Sequence, residues 1–275
     1  MGTKKILCGL SEWGFWGEEL IGPLYTLDNA GYQTTFFTAK GKRAPALPPS
    51  MDENYIDPPL GRSVTNALNA QRTREIDKSP RLDNPINLST WLPERPYVTS
   101  PTYLRELEQY NNGLDEIQKD IEQYDALLLV GGSGPIVDMV NNRRVHDLIM
   151  GFLRQDKPIA AECYAVTCLA FSRNWEDRKS IIAGKHVTGH CLEYDYKDGT
   201  GFMGTDFNMG PPPYPLEYIL RDATQPGGAY HGNFGHEVSC IVDYPFVTGR
   251  STSDSYTTGE KLVEVLEKGL RRWGW

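Results

Sequence analysis

The sequence predicts an α/β protein with a mostly parallel central sheet and helices on both faces. Three observations carry that prediction. Residues 4–38 run strand, helix, strand, an opening that favours parallel pairing. Residues 124–130 (Tyr-Asp-Ala-Leu-Leu-Leu-Val) form a nearly continuous apolar run, the mark of a strand buried on both faces. A second short strand, residues 157–161, then follows an amphipathic helix and repeats the alternation.

Taken in order, residues 4–10 read as an apolar strand and 18–30 as a helix. Leu20, Leu24 and Leu27 line one face of that helix at three- and four-residue spacing. Gly31 ends it, because glycine readily takes the left-handed conformation that follows many helices. Residues 33–38, rich in Thr and Phe, form the second strand. From 41 to 101 prolines recur and periodicity is scarce, so this stretch reads as a loop-rich insertion or cap, with one short helix around 64–76. A helix over 103–121 precedes the buried strand, which Gly131-Gly132-Ser133-Gly134-Pro135 closes. An amphipathic helix over 141–155, the strand at 157–161 and a helix over 163–172 come next. Residues 185–189 and 238–242 read as further strands, and 258–272 as a terminal helix with Leu262, Val265, Leu266 and Leu270 on its apolar side. No internal repeat appears, so the expected organisation is one α/β domain over residues 1–275.

Composition narrows the function classes. With 39% hydrophobic residues, a chain of 275 can bury a full core. A formal net charge of −8 argues against nucleic acid or an anionic membrane as the main partner. No apolar run approaches the roughly 20 residues needed to cross a bilayer. The lysines at 4 and 5 precede an apolar patch too short for a signal peptide, so the expected location is cytoplasmic. The five cysteines, Cys8, Cys163, Cys168, Cys191 and Cys240, are odd in number and form no C-x-x-C pair. They suit neither a disulfide framework nor a zinc site, and no metal or other cofactor is expected. The Gly131–Gly134 run also lacks the Lys-Ser/Thr of a phosphate-binding loop.

Cys163 stands out by its setting. It follows Ile159-Ala160-Ala161-Glu162 where a buried strand turns into a helix, the position in which parallel sheets gather ligands. A tight turn there exposes a nucleophile, and a helix N-terminus favours thiolate over thiol. Cys163 reads either as a reactive thiol or as one more buried apolar cysteine.

The run from Leu127 to Met139, followed by Asp156-Lys157-Pro158-Ile159-Ala160-Ala161-Glu162-Cys163, resembles the ThiJ/PfpI superfamily, whose fold is flavodoxin-like and akin to class I glutamine amidotransferases. Glu19-Leu20-Ile21-Gly22-Pro23 is similar to the helix that carries the superfamily's glutamate. Pro48-Pro49, Ile56-Asp57-Pro58 and Val247-Thr248-Gly249-Arg250 resemble the larger branch, which holds glyoxalase III enzymes and heat-shock chaperones. The match spans the chain apart from residues 66–101. It implies that Cys163 is the reactive thiol and Glu19 its carboxyl partner, with Glu18 as the fallback. A carboxyl beside a thiolate in a partly buried site has a raised pKa and can shuttle protons. The resemblance also allows a homodimer.

Two residues depart from the pattern. Tyr164 stands where many members have His after the nucleophile, and Ser133 stands where the glycine loop carries another. A replacement base must come from the remaining histidines. His190 ends a strand near the expected site and is the first candidate; His231 and His236 flank a loop that could cover the pocket. His146 is expected on a helix surface, and the side taken by His186 is open. Tyr164 either donates to an oxyanion or packs on the insertion, and Glu162 either faces the site or forms a structural pair. Backbone amides of Gly132, Ser133 and Tyr164 are the oxyanion candidates. Trp13, Phe15 and Trp16 flank the glutamate helix and, with Tyr214 after Pro211-Pro212-Pro213, suggest an apolar or aromatic substrate surface or simply core.

Two function classes follow. One is a cofactor-free, cysteine-dependent enzyme on a small carbonyl or related electrophile, a glyoxalase III-like lyase or hydratase, with a specialised-metabolite lyase or an amidase- or peptidase-like hydrolase as alternatives. The other is a chaperone or redox sensor using oxidation of Cys163. The expected partner is a small-molecule substrate.

Overall fold

The computed structural model describes residues 3–58, 60–192, 216–232 and 239–275. Strand and helix alternate from the start. β1 (Lys5–Gly9) leads to α1 (Gly17–Asn29) and β2 (Gln33–Thr38), and the insertion supplies α2 (Ala67–Lys78), β3 (Ile86–Asn87) and α3 (Leu88–Trp91). Then come α4 (Tyr103–Ile121), β4 (Ala126–Leu129), α5 (Pro135–Asp138), α6 (Arg143–Arg154), β5 (Ile159–Glu162) and α7 (Val166–Phe171). The rest is β6 (His186–Val187), α8 (Leu216–Ala223), β7 (Ala229–Tyr230), β8 (Cys240–Asp243), β9 (Phe246–Gly249), α9 (Ser255–Lys268) and β10 (Arg272–Trp273).

Among the described residues the main sheet runs β10-β8-β9-β5-β4-β1-β2-β3. Pairing is parallel from β9 through β3, and the β8 and β10 edge is antiparallel. The fold class is therefore a mostly parallel α/β sheet. Its side chains alternate between two cores, as a strand's period of two requires. Leu7, Leu127, Leu129, Ile159 and Ala161 face one core, with α4, α6 and α7 packed on it. Ile6, Cys8, Ala126, Leu128 and Ala160 face the other, beneath α1 and α9. Those two helices approach closely because Gly22 lies against Ser255 and Gly259 against Thr26; an added Cβ would come within 2.7 Å and 2.1 Å of them.

Several expectations change in detail. The insertion does more than drape over the sheet: β3 extends it beyond β2, and Leu88 and Leu92 enter the core. The segment after Cys163 begins as a 3-10 turn (Cys163–Ala165) before α7. The terminal helix stops at Lys268, where Gly269 takes a left-handed φ of 66°, and the chain returns as β10 beside β8. β6 pairs with β7 in a separate two-stranded sheet. His146 is not on the surface. It is 93% buried by the turn of the helix toward the sheet, and its Nε2 lies 2.7 Å from the Val140 carbonyl oxygen. No helix among the described residues is long and apolar enough to cross a membrane.

Candidate active site

The neighbouring strands β5, β4 and β1 end on one edge, and each delivers one part of the site. Between β4 and β1 the chain's winding reverses, and such switch points leave a crevice beyond the strand ends. Cys163 follows β5, Gly131 and Gly132 follow β4, and Glu19 stands in the first turn of α1 after β1.

Cys163 holds a φ of +52°, a left-handed conformation that is strained for a residue with a Cβ. The turn lifts its side chain out of the β5 line. The thiol lies on the floor of a cavity of about 380 Å³ that Glu19, Gly132, Ser133, Tyr164 and His190 also line. Gly131 explains how thiol and carboxyl fit together. A Cβ there would sit 2.3 Å from Glu19 Oε2 and 2.9 Å from the Cys163 Cβ. Gly132 has a φ of +89°, and a Cβ on it would sit 2.4 Å from the Trp16 nitrogen.

Burial governs the protonation of the pair. Desolvation pushes the Glu19 carboxyl up to about 8, against the contrary pull of the Cys163 side chain and the Gly132 amide, with Glu18 adding a smaller upward push. Its Oε2 is buried and meets no donor in good hydrogen-bond geometry, which suits a neutral carboxyl rather than a carboxylate. Desolvation and then the Glu19 charge hold the Cys163 thiol well above its ordinary value, while the amides of Tyr164 and Gly132 pull it down. Burial thus favours the neutral form of each group, while the amides of Gly132 and Tyr164 favour negative charge on the sulfur. This differs from the thiolate that a helix N-terminus alone would favour.

His190 reaches the sulfur: its Nδ1 lies 3.5 Å from Cys163 Sγ, and its backbone N–H donates to the Cys163 carbonyl at 3.3 Å. The Tyr164 ring covers the imidazole, with ring centroids 3.9 Å apart, and Tyr230 donates to the His190 carbonyl at 2.9 Å. His231 is not among the cavity-lining residues. Its Nε2 lies 2.8 Å from Nδ1 of His186, whose ring stacks on Trp275. His236 and Tyr214 lie outside the described residues.

Glu18 lines the cavity beside Glu19 but is tied into the wall, accepting from Trp16 Nε1 at 2.7 Å and Asn69 Nδ2 at 3.4 Å. Burial raises its pKa. Glu162 faces away from the cavity, among Gly249, Ser255 and Thr258, where burial and then the Glu19 charge push its pKa well up. Of the three aromatics, Trp16 lines the cavity, Phe15 is core and Trp13 is exposed.

Sequence reasoning missed the outer wall. Asp57, Leu60, Arg62, Thr65 and Asn69 come from the insertion, and Ser251, Thr252 and Ser253 from the turn before α9. The polar spacing around 62–69 was the one available signal, and it has no periodicity that points to a cavity.

A family model described as ThiJ/PfpI family-like matches residues 10–189. The chain is 24% identical over 208 residues to the protein/nucleic acid deglycase HchA of Pseudomonas aeruginosa, covering 72% of this chain and 68% of that protein. It is 25% identical over 144 residues to glutamine amidotransferase-like class 1 domain-containing protein 1 of Bos taurus, covering 52% and 60% respectively. Among solved structures, Rapid Encystment Protein 24 kDa of Francisella tularensis superposes with a TM-score of 0.65 at 18% identity, over 96% of this chain and 99% of that one. Glyoxalase III of Candida albicans does so with a TM-score of 0.57 at 14% identity, over 96% and 98%. Likeness at these identities is likeness of fold.

Proposed function

The chain belongs to the ThiJ/PfpI family, and from that premise we propose that it is a cofactor-free enzyme that adds the Cys163 thiol to a small carbonyl compound, in the manner of a glyoxalase III lyase. One observation carries the reading: a cysteine in a left-handed turn whose sulfur has His190 Nδ1 at 3.5 Å and the Glu19 carboxyl beside it.

For a 2-oxoaldehyde the steps balance without an outside oxidant. Sγ bonds to the aldehyde carbon as the thiol proton passes through His190 to the carbonyl oxygen, giving a hemithioacetal. The developing oxyanion is met by the amides of Gly132 and Tyr164. The ionised fraction of Glu19 takes the hydrogen from that carbon as a proton, and the hydroxyl proton passes to the neighbouring carbonyl oxygen. Glu19 returns its proton to the neighbouring carbon, so the first carbon is oxidised to a thioester and the second reduced. Water then splits the thioester, releasing a 2-hydroxy acid and the thiol. A carboxyl raised to about 8 is matched to such proton shuttling near neutral pH. Conversion of methylglyoxal to lactate, abolished in Cys163→Ala, is the expected result; undiminished turnover in that variant removes the mechanism.

A hydrolytic variant, in which the same thiol attacks a carbonyl adduct, gains support from the curated relative's name as a deglycase and from a cavity larger than a three-carbon substrate fills. Release of amine from a methylglyoxal-modified amino acid distinguishes it. A redox-sensing role has less support, because burial and Glu19 push the thiol's pKa up. All five cysteines are free and buried, which supports the reducing, cytoplasmic location expected from the sequence.

A further inference from the structure

The cavity has a reactive floor and a differently built outer wall. The floor, with Cys163, Glu19 and His190, suffices for a carbonyl group. The wall includes Arg62, an exposed residue in the turn that Asp57 and Arg62 close by pairing their backbones. No carboxylate among the described residues forms an ion pair with its guanidinium within 4 Å. Glu19 and Glu18 are held toward their neutral forms by burial, and Asp57 accepts the Leu60 amide at 3.1 Å within its own turn.

From this wall, and resting on the reading that Cys163 attacks a carbonyl, we propose that the preferred substrate carries an oxyanion, a carboxylate or a phosphate, at the end remote from its carbonyl, and that Arg62 binds that group. The guanidinium's planar fork matches such oxyanions in a bidentate geometry. A local cation matters more here because the chain carries a net charge of −8, which by itself would disfavour an anionic ligand. A cavity of about 380 Å³ leaves room for a spacer between the two ends.

The test compares a straight-chain 2-oxoaldehyde with the same chain ending in a carboxylate or in a phosphonate. The wild type is expected to favour one anionic substrate at least tenfold in kcat/KM, and Arg62→Met to lower that preference at least tenfold, with Arg62→Lys retaining part of it. A preference unchanged in Arg62→Met overturns the inference. Failure of all three substrates to turn over would count against the proposed reaction and not against the anion site. Calorimetry then reads the site directly: the corresponding methyl ketones are titrated into Cys163→Ala and into Cys163→Ala with Arg62→Met. Tighter binding of an anionic ketone, lost in the double variant, supports the site. Equal or absent binding of the neutral and anionic ketones overturns it.

Discussion

Nδ1 of His190 lies 3.5 Å from Sγ of Cys163, although 27 residues separate them in the chain. The turn after β5 presents the sulfur and the segment after β6 presents the ring, so an imidazole meets the sulfur from elsewhere in the chain although position 164 is tyrosine. His190→Gln should lower kcat/KM for a 2-oxoaldehyde by about 10²–10⁴, the usual range for loss of a positioned acid–base group. Steady-state kinetics check this, and a change below threefold would remove His190 from the mechanism.

His231 provides the contrast. Its ring pairs with His186, away from the cavity lining. His231→Asn should leave kcat/KM within about threefold of wild type, far inside the range for a catalytic base. A loss as large as that of His190→Gln would place His231 at the reacting atoms.

The Glu19 carboxyl makes stability fall as pH rises. Its folded pKa, about 8, lies above the unfolded carboxyl value of 4.5, so the folded chain binds more protons between those limits. The contribution is full below the unfolded value and is lost as pH rises through the folded one. Glu18 and Glu162 act in the same direction. Glu19→Gln should therefore gain about 4 kcal/mol over the wild type at pH 9 relative to pH 5. Urea midpoints at both pH values measure it; identical pH dependence in the two proteins would show that Glu19 is ionised throughout.

Gly131→Ala tests the fit of thiol and carboxyl. The new methyl would overlap Glu19 Oε2 and the Glu162 carbonyl oxygen, at 2.3 Å and 2.5 Å. Overpacking of this kind destabilises by about 1–3 kcal/mol, and displacing Glu19 should lower kcat/KM at least tenfold. Thermal unfolding and kinetics check both, and an alanine variant with wild-type activity would mean that Glu19 has no fixed place.

Much of the architecture was legible because its signals are local. The apolar run at 126–129 had to be a strand buried on both faces, and Leu20, Leu24 and Leu27 had to face a core. The glycine-rich run after β4 likewise marked where that strand ends. Less legible was the insertion, where β3 is only two residues long and draws its order from pairing with β2. His146 shows the same limit. A helical pattern places it near the polar face, but the packing of α6 and the Val140 carbonyl decide that it is buried.

For the site, sequence by itself pointed to Cys163 through the strand-to-helix turn after β5, and to Glu19 only through the resemblance of its helix to a family segment. Tertiary structure decided the rest: which histidine meets the sulfur, that Glu162 turns away, and that Arg62 reaches the cavity wall. It also opposes the ionisation expected of Cys163. A helix N-terminus is a local feature and favours thiolate, whereas desolvation and the charge of Glu19 depend on everything packed around the sulfur, and here they outweigh it.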